Sequence, residues 1–149
     1  MKEVYDLGYQ NVKDFSILAT VVKRLDAMLV DVRYSPKSRN PTWSGSNLKK
    51  VFGEHYVHIP ELGNVNYKSN HAIELFDKDK GLKILEGILT QKNVIIMCAC
   101  WDRKSCHRKV VSRYLELRNN LEVIDLNYDL MKIISGIEDD PEPVQNSLF

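Results

Sequence analysis

The sequence predicts an α/β fold: one domain built on a mostly parallel sheet with helices on both faces, Rossmann-like in layout, plus a flexible C-terminal tail. Two observations predict it. Strand-like and helix-like stretches alternate along the chain, and the strand candidates are short and almost wholly apolar. Strands that do not alternate apolar with polar residues are those covered on both faces, as in parallel sheets.

Taken in order, Val4–Leu7 is a first strand, stopped by Gly8. From Val12 to Leu25, Phe15, Leu18, Val22 and Leu25 recur at helical spacing, with Asn11 as the expected N-cap. Ala27–Val32 is a buried strand. Tyr34–Ser46 carries Pro36, Pro41, Gly45 and four serines and is a long loop. Leu48–Phe52 is a short helix and Tyr56–Ile59 a third strand, followed by a loop over Pro60–Asn70. Leu82, Leu85, Ile88 and Leu89 mark another amphipathic helix. Val94–Cys98 is the fourth strand, Cys106–Arg118 a helix and Val123–Leu126 the fifth strand. The domain is taken as 1–137. The remaining residues 138–149, acidic and proline-bearing, are expected to be a disordered tail.

The chain has 149 residues, 44% hydrophobic and 28% charged, ordinary for one globular domain. It can bury roughly 70% of its unfolded surface, so neither metal nor disulfide is needed for folding. No apolar run approaches the roughly 20 residues of a membrane-spanning helix. The start, Met1-Lys2-Glu3-Val4-Tyr5-Asp6, lacks an apolar signal core. The three cysteines all lie between Cys98 and Cys106 and cannot all pair, which points to a reducing, cytoplasmic setting.

The net charge of +1 hides an uneven distribution. Residues 33–50 hold Arg33, Lys37, Arg39, Lys49 and Lys50 with no acid, and 103–118 hold six basic residues against Glu116. Beyond Glu122 the chain is acidic. Such clusters are often solvated faces; if the two basic segments meet in space, an anionic substrate follows.

Parallel sheets place their sites at the carboxyl ends of the strands. That rule selects three loops. Cys98-Ala99-Cys100-Trp101-Asp102-Arg103-Lys104-Ser105-Cys106-His107-Arg108 links a buried strand to a helix start. Backbone N–H groups there favour an anion and acidify a thiol, and Arg103 and Arg108 act in the same direction. Three readings of this loop stay open: small apolar core cysteines, a zinc site from Cys98, Cys100, Cys106 and His107, or a reactive thiol with an anion cradle. The spacing does not match paired structural zinc ligands, so no cofactor is expected. In the second loop, Asp31 and Arg33 straddle a strand end, as an ion pair or as an acid–base group tuned by arginine. Ser38 and Arg39 follow, suited to a phosphate or carboxylate. In the third, His58-Ile59-Pro60-Glu61, Glu61 is a possible second proton carrier, or simply a solvated loop residue.

In this order the motifs Leu29-Val30-Asp31-Val32-Arg33, Ser35-Pro36-Lys37-Ser38-Arg39-Asn40-Pro41, Tyr56-Val57-His58-Ile59-Pro60-Glu61-Leu62-Gly63 and the Cys106-His107-Arg108 helix start resemble the family called domain of unknown function 488. The likeness runs from about Val4 to Leu126. Where family members usually have Thr-Ile-Gly-His-Ser, this chain has Asp6-Leu7-Gly8-Tyr9-Gln10. The resemblance implies a fold but no settled activity. A weaker likeness, in the Val-Asp-Val-Arg strand and the C-x4-R spacing of Cys98 and Arg103, is to rhodanese and cysteine phosphatase domains. At the far end, Gln145-Asn146-Ser147-Leu148-Phe149 resembles the peptide by which bacterial replication and repair proteins dock on the DNA sliding clamp. That resemblance implies that Gln145, Leu148 and Phe149 bind the clamp.

Together these readings lead to the expectation of a cytoplasmic enzyme of DNA repair or modification acting on a nucleic acid or nucleotide. Cys98, Cys106 and His107 would react, Asp31 or Glu61 would move protons, and Arg33, Ser38, Arg39, Arg103 and Arg108 would hold the substrate. Its rivals are a sulfur or phosphoryl transferase on small anions and a non-catalytic nucleic-acid-binding module.

Overall fold

The computed structural model describes residues 2–69, 71–99 and 107–136. Five strands form one parallel sheet: β1 (Val4–Gly8), β2 (Ala27–Asp31), β3 (Tyr56–His58), β4 (Asn93–Cys98) and β5 (Ile124–Asp125), in the spatial order β3-β2-β4-β1-β5. Five helices accompany them: α1 (Phe15–Leu25), α2 (Gly45–Phe52), α3 (Lys78–Leu89), α4 (His107–Asn119) and α5 (Tyr128–Ser135). The α/β fold expected from the alternation of apolar strands and amphipathic helices is the one observed. Among the described residues no helix is long and apolar enough to cross a membrane.

Side chains alternate across each strand, and both sets are apolar, so each face acquires its own core. Tyr5, Leu7, Leu29, Ile95 and Met97 pack against Leu18 and Val22 of α1, Leu48 and Phe52 of α2 and Met131 of α5. Val4, Val30, Val94, Ile96 and Cys98 pack on the other face against Leu82, Leu85 and Leu89 of α3 and Val111 and Leu115 of α4. Each such leucine, fully buried, contributes roughly 1.5–3 kcal/mol of transfer free energy.

Local chemistry sets the helix ends, and it differs from the sequence reading at the first helix and at α2, which begins at Gly45 rather than Leu48 because Ser44 caps it. The first helix starts after Asp14, not Asn11: the Asp14 carboxylate accepts the Ser16 amide at 3.0 Å and the Ser16 hydroxyl at 2.7 Å. Asn11 instead closes a 3-10 turn over Tyr9–Asn11, and Val12 behind it is extended, so a cap at Asn11 cannot feed the helix. The other caps are Ser44 for α2, Asp77 for α3 and Asn127 for α5. Helix α5, for which the sequence reading gave no element, is bounded by Asn127 and by Gly136, whose φ of 81° suits a glycine C-cap. It lies against α1, where Arg24 reaches the Ile134 carbonyl.

The order of the strands fixes the site. The chain leaves β1 and β2 towards the face of α1 and α2, but leaves β4 towards the face of α4. The loops therefore part above the neighbouring ends of β2 and β4, which is where open parallel sheets bind ligands.

Candidate functional site

At the carboxyl end of β2, Asp31 faces the core of α1 and α2 and has no solvent exposure. A carboxylate buried alone would be very costly, and this one is saturated with donors. Its Oδ1 accepts Arg33 Nε at 2.8 Å and the Arg33 backbone amide at 3.1 Å, and its Oδ2 accepts Arg33 Nη2 at 2.6 Å and the Tyr56 hydroxyl at 2.6 Å. With its acceptor positions filled, Asp31 is placed to orient Arg33 and Tyr56 rather than to exchange a substrate proton. Burial opposes the charge on Arg33, but the hydrogen bonds and charge of Asp31 outweigh it and hold the guanidinium pKa above its ordinary value. Burial, reinforced by the same carboxylate, raises the Tyr56 phenol, which stays protonated and donating. Arg33 itself is 6% exposed, lies over the Tyr9 ring at 5.4 Å, and has one nitrogen, Nη1, with no hydrogen-bond partner among the described residues.

Arg33 lines a cleft of about 320 Å³ with Gln10, Lys37, Asn64, Tyr67 and His107 among its neighbours. The lining comes from the ends of all four of the first strands, and among its described residues there is no carboxylate. His107, the first residue of α4, is pinned across the sheet end: its Nε2 lies 2.8 Å from the Val32 carbonyl. A carbonyl can only accept, so Nε2 carries the proton, and Nδ1 is left as the basic nitrogen of a cleft-lining residue. Burial lowers the His107 pKa; the Val32 carbonyl and Asp31 pull it upward without restoring it, while Arg108 opposes them. The ring is neutral at neutral pH and competent to accept a proton. His58 makes a parallel contact, its Nε2 donating to the Arg33 carbonyl at 2.6 Å, so that both histidines brace the strand end that carries Arg33.

The remaining sequence-derived residues are dispersed. Ser38 accepts from the Tyr9 hydroxyl at 3.2 Å, and Arg39 is exposed beside Tyr9, Asn40 and Trp43 in a shallow groove that meets the cleft at Gln10. Glu61 lies on the side of α3 and pairs with Lys80 at 3.5 Å, outside the cleft lining. Cys98 is fully buried on the sheet face opposite Asp31, and its Sγ accepts from Arg108 Nη1 at 3.9 Å. Arg108 is 1% exposed, with Nε 3.6 Å from Asp6 Oδ1, so it is part of the interior. Cys100, Arg103 and Cys106 lie outside the described residues, as do the boundary at 137, the tail 138–149 and Gln145, Leu148 and Phe149. Among the described residues no three His, Cys, Asp or Glu side chains gather as a metal site would require.

Several contributors had no standing in the sequence reading. Tyr56, which donates to Asp31, and Tyr9, whose ring faces Arg33, look like ordinary strand and turn aromatics. Residues 63–69 and 71–76 fold back on each other: Asn64 and Leu75 form an antiparallel bridge, and the Asn64 side chain accepts the amides of Asn66 and Glu74. This hairpin approaches the end of β2 through Gly63, where a Cβ would meet the Tyr34 backbone at 2.3 Å. Only glycine allows that approach, and it brings Tyr67 and Ile73 to the cleft. The Gly63 that ends the third sequence motif was the available signal.

Fold and site together define a doubly wound α/β protein with a carboxylate-anchored arginine lining a cleft at its strand ends. The chain belongs to the family described as domain of unknown function DUF488, whose model matches residues 23–115. No curated protein and no solved structure matches it.

Proposed function

We propose that the protein is a cytoplasmic enzyme of DNA repair or modification that binds a nucleic acid or nucleotide in the cleft at the strand ends. The observation that carries this reading is Arg33: a buried guanidinium, fixed by two side-chain bonds to Asp31, with a buried Nη1 unpartnered among the described residues, on a residue that lines the cleft together with Lys37. A planar donor held in place suits a phosphate oxygen, and an unsatisfied buried donor gains when a ligand supplies the acceptor. His107 Nδ1 is assigned the proton-accepting role, and Cys106 and Arg103 of the preceding loop remain candidates beside it. Because Cys98 is buried on the far face, the reading does not use it as the nucleophile; that placement also favours the nucleic-acid reading over a cysteine-based transferase. No cofactor is required. Recruitment to the sliding clamp by Gln145, Leu148 and Phe149 belongs to the same proposal.

Titration of a nucleoside 5′-monophosphate and a short oligonucleotide tests it. Arg33→Lys, which keeps the charge and loses the fork, should weaken binding by about tenfold or more, and Lys37→Ala by less. His107→Gln should retain binding and lose turnover of any substrate found. Absence of binding at low salt, or equal affinity in all three proteins, overturns the reading.

A further inference from the structure

Beside the Arg33 cleft, three aromatic rings stand together at the surface: Tyr34, Tyr67 and Phe76 are 37%, 49% and 57% exposed. Their centroids lie 6.2 Å (Tyr34–Tyr67) and 5.5 Å (Tyr34–Phe76) apart, in tilted and edge-on contact. Ile73, also exposed, lies in the same hairpin. Exposed apolar residues scattered singly need no explanation, but a cluster beside a cleft lined by Arg33 and Lys37 does. These rings do not complete the core, since neither apolar cluster of the fold includes them.

From this arrangement we infer that Tyr34, Tyr67 and Phe76 form a stacking platform for unpaired bases, so that the substrate class is single-stranded nucleic acid, or a strand locally opened, rather than intact duplex. The inference rests on the proposed function and names the substrate form that the same cleft takes. Three features favour a base over another apolar occupant. Tyr34 follows Arg33 directly in the chain, and Tyr34 and Tyr67 line the cleft with Arg33 and Lys37, so a ring face and phosphate-binding groups share one surface. Lys68 Nζ stands 5.6 Å from the Tyr67 ring, adding a cation beside the platform. Single-strand binders combine these two elements, a cationic track for the backbone and aromatic faces for the bases. Duplex hides its base faces within the stack and offers the rings nothing comparable.

The platform is also preset. Phe76 N donates to the Gly63 carbonyl at 3.0 Å and Val65 N to the Glu74 carbonyl at 2.9 Å, tying residues 63–65 to 74–76 at two points. Rings already held in position lose little freedom when a base stacks on them.

The test is fluorescence anisotropy of one labelled oligonucleotide, single-stranded and annealed, at low salt, with folding of each variant confirmed by circular dichroism. Single strands should bind more tightly than the duplex. Tyr67→Ala should weaken single-strand binding by about five- to a hundredfold, the range of one lost base–aromatic stack, and Tyr67→Phe should restore it. Phe76→Ala should act in the same direction, and duplex binding should not change. If the duplex binds as well as the single strand, or both alanine variants bind single strands as the wild type does, the platform is refuted. When Arg33→Lys or Lys37→Ala still weakens binding in that case, the cleft reading survives alone. If no nucleic acid or nucleotide binds, both fall together.

Discussion

Two buried aspartate–arginine pairs sit on opposite faces of the sheet, and their surroundings differ. Asp31 and Arg33 are two residues apart, share two hydrogen bonds of 2.6 and 2.8 Å, and are completed by Tyr56. Asp6 and Arg108 come from distant parts of the chain, meet at 3.6 Å, and involve Ser112, whose hydroxyl donates to Asp6 at 3.0 Å. The first pair borders a cleft that Arg33 helps to line; the second is enclosed with Cys98 between the sheet and α4. Buried ion pairs gain little net stability over apolar residues of similar size. The enclosed pair therefore serves to fix how α4 docks on the sheet, while the pair beside the cleft holds a charge where a ligand can reach it.

The comparison breaks most visibly when either pair loses one member. Asp31→Ala and Asp6→Ala should each cost about 3–5 kcal/mol in urea unfolding, since each leaves a buried arginine uncompensated. Replacing both members distinguishes the two. Asp6→Leu with Arg108→Met should recover much of that stability and keep nucleotide binding. Asp31→Leu with Arg33→Met should recover stability but lose binding. Loss of binding in both double variants would show that the enclosed pair shapes the cleft as well.

A smaller effect concerns His107, which touches both regions through Val32 and the first turn of α4. Its pKa is lowered in the folded protein, so the unfolded chain binds the extra proton first as pH falls. Its contribution is complete above the unfolded value of about 6.5 and is lost as pH drops below it towards the lowered folded value. The stability of the wild type should therefore decline more steeply below about pH 6.5 than that of His107→Gln. Parallel profiles would mean that His107 titrates as it does in water. The smallest effect is that of Lys37, exposed and outside either pair. Lys37→Ala should reduce the salt slope of nucleic-acid binding by about one unit and leave stability unchanged.

What the sequence disclosed follows the same division. The apolar strands Ala27–Asp31 and Asn93–Cys98 and the spacing of Leu82, Leu85 and Leu89 announced the sheet and its helices, because burial on both faces writes itself into composition. Asp31 and Arg33, near in sequence, were recognisable as a unit. The Asp6–Arg108 contact was not, since pairing β1 with α4 depends on the strand order and no local pattern encodes it. Cys98, at a strand end, reads as reactive and Arg108, at a helix start, as substrate-binding; register turns both into the interior. Helix α5 escaped notice because its eight residues offer one buried apolar side chain, Met131, and partial burial elsewhere. The hairpin limbs 63–69 and 71–76 have no strand-like run at all and depend on the side chain of Asn64 and the approach of Gly63.

The central claim is that the Arg33 guanidinium is the ligand-binding group. Nitrogen-15 spectra of the arginine side chains, recorded while a nucleoside 5′-monophosphate is added, address it directly. Saturable shifts are expected in the Arg33 side-chain signals, with those of Arg108 little changed. Saturable binding that leaves Arg33 unperturbed, with the shifts falling on Arg39 or elsewhere, would contradict it.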